Sequence, residues 1–163
     1  MNNFVKTFTT PDGDVYEIVL SEERSILSVD VLNQMDGIVV VGIDLRRLYG
    51  ANVTMMRILA AIENTIAEFF LKEENVIICY YCDFINKIPN TSKNAMPPQE
   101  YRSRLFERMF QRYIQFHDIN NVRLSVVEIN GLNEKYFFHV IYRERHSMLA
   151  ALIGKDLKEG YDK

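Results

Sequence analysis

The first 45 residues alternate between hydrophobic and polar positions in short runs, the pattern of β-strands. FVKTF and VYEIVL flank TTPDGD, and a Pro-Asp-Gly turn between two β-rich runs is typical of a hairpin. In SILSVDVL, Leu27, Val29 and Val31 alternate with polar residues, which predicts a further strand. Residues 38–45, IVVVGIDL, form a nearly continuous hydrophobic run, which predicts a strand covered on both faces.

Hydrophobic residues then recur at helical spacing. From about Val53 to Lys72 they form one stripe, and the polar residues, Glu63 among them, are placed largely opposite it. Residues 76–83 form another hydrophobic β run. A polar loop leads to Pro97-Pro98, which suit the first turn of a second helix, and the hairpin VRLSVVEI and KYFFHVIYR follows around Asn130-Gly131.

This order predicts a single α+β domain with a mixed, mostly antiparallel sheet and two main helices. At 163 residues the chain is long enough to bury a core of its own. We expect N-terminal antiparallel strands over 1–45, a helix-strand-helix unit over 46–121 and a C-terminal hairpin over 122–146. Residues 147–163 are predicted to be a short apolar segment followed by a charged tail.

Composition narrows the expected partners and compartment. The net charge of −3 argues against a domain that binds polyanions over its whole surface. Arg104, Arg108 and Arg112 form a ridge, but Glu100 and Glu107 interrupt that helix, so we interpret the ridge as a solvated surface and expect no nucleic-acid partner. No apolar run reaches the roughly 20 residues of a spanning helix, and the N-terminus lacks a secretory signal pattern. We therefore expect a cytoplasmic protein with no membrane partner.

Cys79 and Cys82 in VIICYYCDF raise three possibilities: a redox pair, half of a metal site, or two buried residues. Three positions apart on a strand, they point to opposite faces of the sheet. No helix begins at the motif to lower a thiol pKa, and the chain holds no other cysteine and only three isolated histidines. We predict buried structural cysteines and no metal site.

The remaining candidate chemistry is sparse. His139 lies mid-strand, where a hydrogen-bonded core residue is the expected interpretation, and no spacing identifies a catalytic residue. Asp83 closes the hydrophobic β run at residues 76–83, just before a long loop, where α/β sheets tend to place ligand crevices. Helical phase turns Arg102 inward from the first turn of the second helix, toward the same edge. Asp83 and Arg102 are predicted either to form a salt bridge, the favoured alternative, or to bind a ligand.

From Ile38 to Tyr142 the order of strand, helix, strand, helix and two strands resembles the core of the GNAT-type N-acetyltransferase superfamily. In that family the loop before the first of these helices reads Gln or Arg, two residues, Gly, one residue, Gly or Ala. Its amides hold the pyrophosphate of acyl-CoA at the helix N-terminus. RRLYGANVT stands at the matching place. The resemblance thus implies that a segment containing Arg47, Gly50, Ala51 and Asn52 binds acetyl-CoA or CoA.

Two departures from the family pattern bear on activity. Asn52 stands where the family has Gly or Ala, and in LFERMF Phe106 fills the place of a tyrosine that protonates the leaving thiolate. A phenylalanine has no hydroxyl to donate. The sequence therefore favours a non-catalytic GNAT-like module that binds a small molecule or a protein partner, and the alternative is an active acyl-CoA-dependent N-acyltransferase.

Overall fold

A computed structural model describes residues 2–52, 56–82 and 96–161 of the chain. Its strands are β1 (Phe4–Thr9), β2 (Val15–Glu22), β3 (Val39–Tyr49), β4 (Val76–Tyr81), β5 (Val122–Asn130) and β6 (Lys135–Arg143). Its helices are α1 (Val29–Leu32), α2 (Met56–Lys72), α3 (Pro98–Phe116) and α4 (Ser147–Tyr161), and a 3-10 turn at Glu144–His146 precedes α4. The predicted α+β class with a mixed sheet is confirmed.

The six described strands form one sheet in the order β1-β2-β3-β4-β6-β5. Neighbours are antiparallel except β3 and β4, which run parallel. A parallel pair requires a crossover connection, and α2 provides it between β3 and β4. None of the described helices is long and apolar enough to cross a lipid bilayer.

Hydrophobic cores lie on both faces of the sheet, because the central strands are covered on both sides. Val40 faces one core and Val41 the other, as expected for successive strand residues. The helical face, as we call the side covered by α2 and α3, includes Ile18, Val41, Ile62, Phe70, Phe110 and Ile141. The α4 face, covered by α1 and α4, includes Leu27, Val31, Ile77, Val140, Ile153 and Leu157.

Two segments differ from the sequence prediction. The predicted strand around Leu27 to Val31 is wrong, since residues 29–32 form α1, with Ser28 at its N-cap. Leu27, Val31 and Met35 are buried at helix-like intervals of four while Val29 is exposed, so the apparent alternation was incidental. The short apolar segment expected after residue 146 is the start of α4, which continues for 15 residues through the charged portion.

Candidate functional site

The candidate site is a cleft that opens where the two parallel strands separate. β3 and β4 pair over only three positions, Val39–Val41 with Val76–Ile78. Beyond them β3 remains paired with β2 as far as Tyr49, while β4 remains paired with β6 as far as Tyr81. The sheet therefore divides along its centre, and the space between the two strands is a cavity of about 210 Å³.

The cleft has a mixed lining that five elements supply, and β2 contributes Tyr16. Its α2 wall is largely aliphatic, with Ile62 and Ile66 beside the acidic Glu63, and α3 contributes Arg102 and Phe106. Apolar walls with a few convergent polar groups are typical of small-ligand sites. The two separating strands contribute Ile43, Asp44 and Leu45 from β3, and Tyr80, Tyr81 and Cys82 from β4 and the residue after it.

Glu63 is the ionisable group most altered by this environment. Its side chain is buried, with 8% of its surface exposed, and burial raises its pKa from 4.5 to about 7. Within the described residues, no group forms a hydrogen bond or an ion pair with its carboxylate. The expectation that Glu63 lies opposite the apolar stripe is wrong, because α3 packs beside α2 and covers that flank.

A hydrogen-bonded chain of three side chains lies behind the cleft. Tyr80 and His139 are cross-strand partners on β4 and β6, and the Tyr80 hydroxyl lies 3.0 Å from His139 Nδ1. The Ser103 hydroxyl on α3 lies 2.9 Å from His139 Nε2. Burial lowers the pKa of His139 to about 4, so the ring is neutral at pH 7. The prediction of a hydrogen-bonded core histidine is confirmed.

Of the predicted pair Asp83 and Arg102, the structure describes only Arg102. Arg102 is buried and lines the cleft, so its predicted inward orientation is confirmed. Its charge also opposes the burial that raises the pKa of the Cys82 thiol. Asp83 lies outside the described residues, and the salt bridge between Asp83 and Arg102 stays a prediction.

The segment of the expected phosphate loop closes around a buried carboxylate, that of Asp14. Gly50 has φ +95°, and a Cβ there would lie 1.7 Å from Asp14 Oδ1. The Asn52 amide donates to the same oxygen at 3.2 Å, and Arg47 Nη1 lies 3.9 Å from Asp14 Oδ2. Ala51 is exposed beside them. A pyrophosphate approaching Gly50 would meet the Asp14 carboxylate as well as Arg47, and CoA binding by this segment stays a prediction.

The two cysteines occupy opposite faces of the sheet, as predicted. Cys79 belongs to the α4-face core, whereas Cys82 lines the cleft. Both thiols are free and buried, and burial raises the pKa of each to about 12. In the portions of the chain that the structure describes, no three metal-binding side chains cluster together.

Sequence reasoning missed Glu63 and Tyr80 as cleft residues and Ser103 as a hydrogen-bond partner of His139. Glu63 follows Leu59 by four residues and precedes Ile66 by three, which places it on the flank of the buried stripe, and that was a usable signal. The pairing of Tyr80 with His139 depends on strand register, and the approach of Ser103 depends on how α3 docks.

Comparisons of this chain with protein-family models, with curated proteins and with solved structures found no match.

Proposed function

We propose that this protein is a non-catalytic GNAT-like module that binds a small molecule in the cleft between β3 and β4. The observation that carries the proposal is the separation of the parallel strands after three pairs, which opens a cavity at the centre of the sheet. Ligand crevices at such positions are a general property of sheets with parallel strands. The crossover of β3, α2 and β4 also supports the resemblance in element order.

The dimensions of the cleft favour a slender ligand or one slender arm of a larger ligand. Its volume of about 210 Å³ is smaller than the roughly 300–1,000 Å³ of sites that enclose drug-sized molecules. The acyl end of acetyl-CoA is one such arm, and the resemblance makes acetyl-CoA and CoA the first ligands to test. For a protein partner, Leu132 and Met148 are exposed apolar residues, and single exposed apolar residues are ordinary on protein surfaces.

Phe106 supports a binding module rather than an enzyme. Phe106 lines the cleft and has no hydroxyl, and the resemblance assigns to this position the tyrosine that protonates the thiolate in the family. One observation favours the alternative, an acyl-CoA-dependent N-acyltransferase. Tyr80 lines the same cleft, and its hydroxyl is hydrogen-bonded to His139. In that alternative, an amine nitrogen attacks the acyl carbonyl, and the carbon–sulfur bond breaks as Tyr80 donates its proton to the departing thiolate. The proton that the nitrogen loses as the amide forms then restores the Tyr80 hydroxyl.

Thermal unfolding with acetyl-CoA and with CoA tests the proposal. A ligand at a hundred times its Kd stabilises the folded state by about 2.7 kcal/mol, which raises the Tm of a chain of this size by roughly 5–10 °C. Leu45→Trp places an indole in the cleft and should abolish that shift. Leu48→Trp, on the exposed part of the same strand, is the matched control and should preserve it.

The outcomes separate the two functions. A shift that survives Leu45→Trp contradicts binding in the cleft, and no shift with either compound contradicts a CoA ligand. Release of free thiol from acetyl-CoA in the presence of primary amines, lost in Tyr80→Phe, establishes the acyltransferase instead.

A further inference from the structure

A groove that is open to solvent lies between α2 and α3, and we call it the α2–α3 groove. It has a volume of about 830 Å³, and Glu63 is the residue that it shares with the cleft between β3 and β4. Its lining comes from residues 56–64 of α2 and from residues 109–117, the last two turns of α3 with its C-cap. Each wall is about 12 Å long, since a helix rises about 1.5 Å per residue, and this length equals about two helical turns.

Exposed apolar side chains border the groove. Phe116 is 85% exposed and Met56 is 47% exposed. Met109 and Tyr113 line the groove and are half-buried. The His117 ring contacts two aromatic rings, and its centroid lies 4.2 Å from that of Tyr113 and 5.1 Å from that of Phe116. Because Met, Tyr, Phe and Arg are enriched where proteins bind one another, this lining favours a protein partner over a small ligand.

The charge of the groove is opposite in sign to that of the whole chain. The chain has a net charge of −3, whereas Arg57, Arg112 and His117 line the groove. Its one acidic lining residue, Glu63, is buried. Arg57 and Arg112 are exposed, and neither forms an ion pair or a hydrogen bond within the described parts of the chain. Both guanidinium groups are therefore available to carboxylates of a partner.

We infer that the α2–α3 groove binds an acidic amphipathic helix of a protein partner. Two turns of such a helix match the length of the groove and present apolar side chains at i, i+3 or i+4, and i+7. Its carboxylates meet Arg57 on the α2 wall and Arg112 on the α3 wall. Methionine side chains are flexible, so Met56 and Met109 adapt to the shape of the partner. This interface goes beyond the proposed function, because it does not use the cleft.

The test selects binders of the full chain from a phage-displayed library of peptides. Each peptide has about 14 residues, which is long enough to form a helix around the two contacting turns. We expect the selected peptides to carry more acidic than basic residues and to repeat apolar residues at intervals of three or four. Selection of peptides without an acidic excess, or of no peptide at all, would overturn the inference.

A selected peptide, synthesised with a fluorescent label, then reports Kd through its anisotropy. Arg112→Glu should weaken binding at least about tenfold, because it replaces an attraction with a repulsion. Arg108→Glu is the matched control, since Arg108 is exposed one turn earlier on α3 and lies outside the lining of the groove. It makes the same change of net charge and should weaken binding by less than about threefold.

Phe116→Ala tests the apolar contact and should weaken binding about tenfold. Its control is Leu132→Ala, because Leu132 is fully exposed between β5 and β6 and should not affect Kd. Both side chains are exposed, so neither variant should alter the fold. An unchanged Kd in Phe116→Ala would contradict docking in the groove.

Further results would separate this inference from other modes of binding. Equal losses in Arg112→Glu and Arg108→Glu would show attraction by net charge alone and overturn it. Displacement of the peptide by an equal concentration of an oligonucleotide would show that apolar contacts are not needed and would also overturn it. Loss of peptide binding in Leu45→Trp would place the peptide in the cleft. Peptide binding that Leu45→Trp leaves unchanged, in a chain that acetyl-CoA and CoA do not stabilise, would support the groove and contradict only the CoA ligand.

Discussion

The two faces of the sheet are built differently, although the same central strands supply both. The α4 face contains a core of aliphatic and aromatic side chains in which Ile153 and Leu157 are fully buried. The helical face contains a comparable apolar core, but it also buries Glu63, Arg102 and His139 and leaves a cleft.

The difference indicates where stability and where ligand chemistry reside. Apolar packing stabilises a fold without specifying a ligand, whereas burying Glu63 has a free-energy cost that packing elsewhere must offset. Buried ionisable groups beside a cavity are a common feature of functional sites. We therefore expect substitutions on the α4 face to act mainly on stability, and the proposed ligand site lies on the helical face.

The largest expected change in the free energy of unfolding comes from a substitution in the α4-face core. Leu157→Ala should lower the free energy of unfolding by about 2–5 kcal/mol, because it leaves a cavity in a fully buried core. Denaturant titration measures the loss. Met148→Ala, on the exposed side of the same helix, is the control and should change stability by less than about 0.5 kcal/mol. A loss below about 1 kcal/mol for Leu157→Ala would contradict the assignment of this face.

The second-largest expected effect is the dependence of folding stability on pH that Glu63 causes. Its pKa is higher in the folded state than in the unfolded chain, so the folded state holds more protons, and stability falls as pH rises from 4.5 through about 7. Glu63→Gln removes this loss and should stabilise the protein at pH 8 by at most about 3 kcal/mol. Urea titrations at pH 5 and pH 8 measure the difference.

His139 has the opposite dependence, since its lowered pKa makes stability fall as pH drops from 6.5 through about 4. The variant minus wild-type difference therefore isolates Glu63. Glu68→Gln, exposed on the same helix, should leave the profile unchanged, and a Glu63→Gln profile parallel to that of wild type would refute the buried, unpaired carboxylate.

A smaller effect concerns the chain of Ser103, His139 and Tyr80. Ser103→Ala or Tyr80→Phe alone leaves one ring nitrogen of His139 without a partner, which costs about 1–3 kcal/mol. In each single variant His139 can still adopt the tautomer whose ring N–H donates to the remaining hydroxyl, but in the double variant no hydroxyl remains. The double variant should therefore lose more than the sum of the singles, by about 1 kcal/mol, in a thermodynamic cycle of unfolding free energies.

Strict additivity in that cycle would show that the two hydroxyls do not act through one ring. Ser125→Ala is a matched control, because Ser125 donates to Tyr142 at a partly buried position, and Tyr142 packs against the α4-face core.

The smallest effect compares the two cysteines. Both should react with a thiol reagent at least about a hundredfold more slowly in the native protein than after unfolding, because burial raises the pKa of each to about 12. Cys82 should react several-fold faster than Cys79, since it lines the cleft. Labelling kinetics of the Cys79→Ala and Cys82→Ala variants assign one rate to each thiol. Equal rates would contradict the prediction that the thiol lining the cleft is more accessible than the thiol in the α4-face core.

Local patterns predicted much of the fold. Pro-Asp-Gly predicted the first hairpin, helical spacing predicted α2 and α3, and the phase of Arg102 predicted its burial. The strand prediction for residues 27–31 failed because, over so short a run, an alternating pattern also fits one helical turn. Ser28 caps the N-terminus of that turn.

The sequence by itself determined the class of fold, the buried cysteines and the inward face of α3, since each depends on the period of neighbouring residues. Tertiary structure decided the site. The cleft exists because β3 and β4 separate after three pairs, and Glu63 is buried because α3 docks on one flank of α2. Ser103, Tyr80 and His139 meet through register and docking. Such contacts join residues up to 59 positions apart, and no local period carries information about them.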